Sequence, residues 1–127
     1  MIELIKLAKE ASEKAYSPYS GYKVGAALKT KSGKIFTGAN IENASYSPTV
    51  CAVRVAIFTA IHSGEREFEA MAIYGKNKAY PCGVCRQFLS EFCQSDFKLL
   101  IVQDDGGYEE YTLEELLPKS FTKNNLE

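Results

Sequence analysis

The sequence predicts an α/β fold in three layers, with a mixed sheet of about five strands carrying helices on both faces, and three observations lead there. Segments whose apolar residues recur at helical spacing alternate with runs rich in small and β-branched residues. The turn Lys31-Ser32-Gly33-Lys34 separates two such runs and joins them as antiparallel neighbours. Beyond it, helix and strand take turns, as they do where a sheet gains parallel strands.

Ile2, Ile5, Ala8, Ala11 and Ala15 lie at helical spacing and predict an amphipathic helix over 2–16, stopped by Ser17-Pro18. Strands over 22–30 and 35–41 flank the turn and form a β-hairpin. Val50, Val53, Ile57 and Ile61 make one stripe of a helix over 49–63, and a charged loop then leads to a strand over 68–75. A helix over 83–93 precedes a buried strand over 97–103, and Asp104-Asp105-Gly106-Gly107 marks a turn. An edge strand over 108–111 follows, and Thr112 with Glu115 gives the capping-box pattern of a short helix ended by Pro118. Residues 119–127 read as a polar tail with a single aromatic, Phe121. With no repeat, low-complexity segment or linker, residues 1–127 are expected to form one soluble domain.

Composition narrows the functions. Of 127 residues, 46% are hydrophobic, enough for a core without disulfide staples. Fifteen Lys and Arg against sixteen Asp and Glu leave a net charge of −1, with no basic run to follow a phosphate backbone, so no nucleic-acid partner is expected. No apolar stretch approaches the roughly 20 residues of a membrane span, and the mixed charges of 1–16 are unlike a secretory signal. The expected compartment is the cytoplasm, where cysteines serve metals more often than disulfides.

The cysteines carry the chemistry. Cys82 and Cys85, in Pro-Cys-Gly-Val-Cys-Arg, stand one helical turn apart at a predicted helix start, and Cys51, in Thr-Val-Cys-Ala-Val-Arg, begins another helix. The positive end of a helix lowers thiol pKa values and gathers thiolates around one cation, for which Zn2+ is the natural choice. Arg54 and Arg86 follow the ligands closely; either they donate hydrogen bonds to the sulfurs and draw off negative charge, or they are solvated helix residues. A structural zinc site needs a fourth protein ligand. Cys93 lies eight positions beyond Cys85 on the same helix, roughly 12 Å along its axis, and His62 comes near the far end of the second helix, so the fourth position is expected to be open.

These motifs resemble the small, homotetrameric cytidine deaminases over nearly the whole chain. Pro18-Tyr19-Ser20 with Val24-Gly25-Ala26-Ala27-Leu28 is similar to the family's first hairpin, and Gly38-Ala39-Asn40-Ile41-Glu42-Asn43-Ala44 to its ribose-binding strand and loop; the cysteine motifs follow at the family's spacing. The resemblance implies a zinc hydrolase in which zinc activates the attacking water while a glutamate two residues after the first ligand moves protons to N3 and the leaving ammonia. That position holds Val53 here. The resemblance also implies that Asn40 and Glu42 bind the ribose, that Tyr22 occupies a pocket phenylalanine position, that Ala52 brings backbone to the base, and that Phe121 stacks on the pyrimidine of a neighbouring subunit in a homotetramer. Without the resemblance, Tyr22 and Phe121 read as ordinary core or surface aromatics.

Valine cannot donate, accept or titrate, and loss of a positioned proton carrier lowers rate by about 10² to 10⁴. The implied function is deamination of cytidine or deoxycytidine, a step of pyrimidine salvage, strongly slowed in this chain. A hydrolase acting on N4-substituted cytidines and an inactive nucleoside-binding protein are the alternatives. Val55, where the family often has threonine, is a packing change.

Overall fold

The computed structural model describes residues 1–126. Its elements run α1 (Ile2–Ser12), β1 (Val24–Thr30), β2 (Ile35–Ala39), α2 (Ala52–His62), β3 (Phe68–Gly75), α3 (Gly83–Phe92), β4 (Lys98–Val102), β5 (Tyr108–Thr112), α4 (Leu113–Leu116) and a 3₁₀ turn at Lys123–Leu126. The sheet order is β2-β1-β3-β4-β5, with β3 and β4 parallel and the other neighbours antiparallel. The expected mixed sheet of five strands is present, and the final 3₁₀ turn is an addition within the tail.

Alternation along the strands builds two cores. Ala27, Ala70, Ala72, Leu100 and Val102 pack beneath α1 through Leu4 and Ala8. On the other face Ala26, Leu28, Met71, Ile73, Leu99 and Ile101 meet α2, α3 and α4 through Val53, Ile57, Leu89 and Leu113. Because β-strand side chains alternate, neighbouring residues of β1, β3 and β4 serve opposite cores. Thr112 and Glu115 form the expected capping box at α4.

Several boundaries differ from the sequence reading for local reasons. Helix α1 stops at Ser12, and its buried stripe is Leu4, Ala8, Ala11 and Ser12, while Ile2 is 85% exposed. Strand β2 ends at Ala39 because the next side chain leaves the ladder: Asn40 Oδ1 accepts from Val24 N at 2.9 Å and Asn40 Nδ2 donates to Tyr22 O at 2.8 Å. Ile41 continues only as isolated bridges to Tyr16 and Val50. Helix α2 begins at Ala52, leaving Cys51 in extended conformation as its N-cap.

Gly38 brings α2 close to the sheet. A Cβ there would lie 2.5 Å from Ala56 N and 2.7 Å from Ala52 O, so only glycine lets the backbone of α2, which follows Cys51, rest on β2. No helix is long and apolar enough to cross a membrane among the described residues.

Candidate metal centre and nucleoside cleft

Two helix starts meet at one point. Cys51 caps α2 and Cys82 caps α3, with Cys85 in the first turn of α3. The sulfurs of Cys51 and Cys82 are 3.7 Å apart and those of Cys82 and Cys85 3.3 Å apart. All three lie within 4.8 Å of one another. A tetrahedral zinc with bonds of about 2.3 Å needs sulfurs about 3.8 Å apart, so the residues present fit that ion. Among the described residues no other Cys, His, Asp or Glu joins the group. Cys93 is the C-cap of α3 and His62 is the last residue of α2, each at the end of its helix remote from the three sulfurs.

The electrostatics favour thiolate at Cys51. The Cys85 thiol donating to Cys51, and then the Arg54 guanidinium, hold the Cys51 thiol down at about 5 against the cost of its burial. The same contact with Cys51, followed by burial, pushes the Cys85 thiol up. These opposite shifts are those of sulfurs packed closely enough to share a proton, and a cation bound among them would take the place of such protons. Cys93, away from this point, is raised to about 12 by burial alone.

The arginines divide. Arg54 Nη2 donates to Cys51 Sγ at 3.6 Å, and its own pKa is raised chiefly by that bond. Arg86 corrects the expectation of a sulfur partner: its Nε donates to Pro81 O at 2.7 Å and its Nη1 to Leu116 O at 2.7 Å. A fork committed to two carbonyls braces the Pro81-Cys82 approach against the end of α4.

A cleft of about 300 Å³ opens onto the sulfurs, and Tyr22, Asn40, Glu42, Ala52 and Val53 line it together with Cys51, Cys82 and Cys85. At its inner end Val53, 2% exposed, belongs to the core that includes Ile73 and Cys85. Glu42 at the outer end accepts from Tyr19 N at 3.0 Å, from Ser20 N at 3.1 Å and from the Ser20 hydroxyl. The Ser20 hydroxyl is the largest cause of a carboxyl pKa below its ordinary value, so Glu42 stays ionised. Asn40 uses one amide hydrogen on Tyr22 O, which leaves the other for a ligand. Phe121 is not on this cleft; the residue is 50% exposed and its carbonyl accepts from Gln87 Nε2 at 2.8 Å.

Some lining residues escaped the sequence reading. Ser20 lies inside the Pro18-Tyr19-Ser20 motif and Tyr80 directly precedes Pro81-Cys82, so their positions were signalled although their roles were not. Gly75, which touches the lining residues Tyr22 and Ala79 without lining the cleft itself, was unmarked: a Cβ there would meet the Tyr22 hydroxyl at 2.8 Å and Ala79 Cβ at 2.5 Å. Its bareness leaves room for Tyr22 against the end of β3.

Residues 2–101 match the family described as the cytidine and deoxycytidylate deaminase zinc-binding region. A cytidine deaminase of Halalkalibacterium halodurans is 46% identical over 125 residues, covering 97% of this chain and 95% of that protein. One from Sporosarcina psychrophila is 44% identical over 98% of this chain and 93% of its own length. The crystal structure of cytidine deaminase from Burkholderia pseudomallei superimposes with a TM-score of 0.91 at 44% identity, covering 94% of this chain and 97% of that one.

Proposed function

The chain belongs to the cytidine and deoxycytidylate deaminase zinc-binding family, and from that premise we propose that its cleft binds a pyrimidine nucleoside and deaminates cytidine or deoxycytidine only slowly. One observation carries the reading: the three sulfurs, the polar pair Asn40 and Glu42, and the apolar Val53 all line a single cleft.

Cys51, Cys82 and Cys85 would hold the zinc. When bound, zinc supplies Lewis-acid activation of the water that attacks C4 of the base. The chain's own residues do the rest. Glu42, ionised and fixed by Tyr19 and Ser20, accepts from a ribose hydroxyl, and the remaining Asn40 hydrogen donates to a ribose oxygen. The base then lies between these groups and the sulfurs, against Ala52 and Val53. Arg54 draws negative charge from Cys51 through its hydrogen bond.

Val53 stands where zinc deaminases carry the glutamate that moves protons. Its isopropyl group packs and excludes water but has no proton to give to N3 or to the departing amine. We infer that binding outlasts catalysis. Phe121, half-exposed and away from its own cleft, is free to complete the cleft of another protomer, which supports a homotetramer.

A second reading is hydrolysis of N4-substituted cytidines. The buried Val53 beside Ile73 and Ala79 makes the reacting end of the cleft apolar, and an amine with a stabilised leaving form needs less proton delivery. Side-by-side assay of cytidine and an N4-substituted cytidine separates the readings. Slow turnover of the first with faster turnover of the second favours altered specificity; binding of both with turnover of neither leaves a nucleoside-binding protein; failure of both to bind refutes the nucleoside cleft.

A further inference from the structure

One wall of the cleft has no part in the chemistry above. Tyr80 lines the cleft directly before Pro81 and Cys82 and is 44% exposed. Its hydroxyl donates to Glu109 Oε1 at 2.7 Å. The same carboxylate accepts from the Tyr111 hydroxyl at 2.8 Å and from Lys78 Nζ at 3.0 Å. Glu109 lies on β5, opposite Ile101 of β4, and the rings of Tyr80 and Tyr111 meet edge to face at 6.2 Å. Lys78 and Tyr80 both belong to the β3–α3 connection that delivers Cys82, so a single carboxylate on the edge strand holds that connection at two points.

The consequence for the cleft is chemical. With its only O–H committed to a carboxylate, Tyr80 has no donor left to offer a ligand, and what it presents to the cleft is ring carbon. Ala79, Pro81, Ile73 and Val53 line the same space. An apolar, aromatic surface beside Cys82 offers nothing to a bare amino group but complements a flat or apolar substituent through ring contact.

We propose that Tyr80 is a specificity-determining residue and Glu109 its positioning residue, holding the ring where it receives an apolar or aromatic group carried on the exocyclic nitrogen of a cytosine nucleoside. The proposal rests on the reading of this cleft as a nucleoside site.

Calorimetric titration of the zinc-loaded protein with cytidine and with N4-benzoylcytidine tests it, in the parent and in Tyr80→Ala, Tyr80→Phe, Glu109→Ala and the Tyr80→Phe/Glu109→Ala double variant. Zinc content and melting temperature, measured on each, separate folding from binding. The preference for N4-benzoylcytidine over cytidine is expected to fall about tenfold in Tyr80→Ala, the upper range of an aromatic contact. It falls about threefold in Tyr80→Phe, which keeps the ring and loses the tether. Glu109→Ala, outside the cleft, loses at least as much as Tyr80→Phe, since it also frees Lys78, and the double variant loses no more than Glu109→Ala alone, because the Tyr80 hydrogen bond is already gone there. An unchanged preference in Tyr80→Ala overturns the specificity role, and additive losses in the double variant overturn the positioning role. If the parent binds neither nucleoside, the nucleoside cleft itself is refuted and this proposal with it.

Discussion

In the proposed function, Val53 is the one side chain that separates binding from chemistry. It is 2% exposed and packs with Ile57, Ile73 and Leu89, so it serves the core while lining the cleft. Its position stood out only through the family resemblance, which implies a proton carrier two residues after the first cysteine ligand. Tyr80 and Glu109 were not legible as a pair, since 29 residues separate them and only the folded sheet edge brings them together. Glu109 also carries a pH prediction. Hydrogen bonds from Tyr80 first, then Tyr111 and Lys78, hold its carboxyl at about 2 against an ordinary value of 4.5. A depressed folded-state pKa gives stability that is complete above the unfolded value and disappears as pH falls through the folded one. The difference in urea midpoint between the parent and Glu109→Gln is therefore expected to be constant above about pH 5 and to shrink between pH 4.5 and about 2. A difference that does not change with pH over that window would show that the carboxylate charge contributes nothing.

Among the elements, the strands and helices were legible wherever period decided them. β3 has the predicted ends, and α3 runs to within one residue of them, because their apolar patterns are complete. Boundaries were lost where a single side chain intervenes, as Asn40 does in ending β2 by bonding to Val24 and Tyr22. The fit of α2 on β2 was likewise hidden, for it depends on the missing Cβ of Gly38. Gly38→Ala is expected to push α2 outward, to lower stability by about 1–3 kcal/mol as overpacking does, and to weaken zinc binding because Cys51 caps that helix. Denaturant unfolding and zinc competition with a chelator check both effects. A variant equal to the parent in stability and zinc affinity would mean that α2 does not depend on this close approach to position Cys51.

At the scale of the whole molecule, the three-layer order was readable from alternating patterns, but Phe121 shows where a single chain stops being informative. The residue is half-exposed and does not line its own cleft, so the role proposed for it calls for a second chain. Sedimentation is expected to give a tetramer with one zinc per chain, and Phe121→Ala to weaken nucleoside binding without loss of zinc. A monomer that binds nucleoside as tightly as the assembled protein would contradict the shared cleft. Replacing Cys93, at the far end of α3, with serine is expected to leave zinc content unchanged. The most direct measurement of all is cytidine turnover per bound zinc in the parent and in Val53→Glu, with zinc content and assembly matched. A carboxylate restored at the inner end of the cleft is expected to raise turnover at least about 10²-fold, the lower end of what a positioned acid or base supplies. Equal turnover in the two proteins would contradict the assignment, because another group would then be moving the protons.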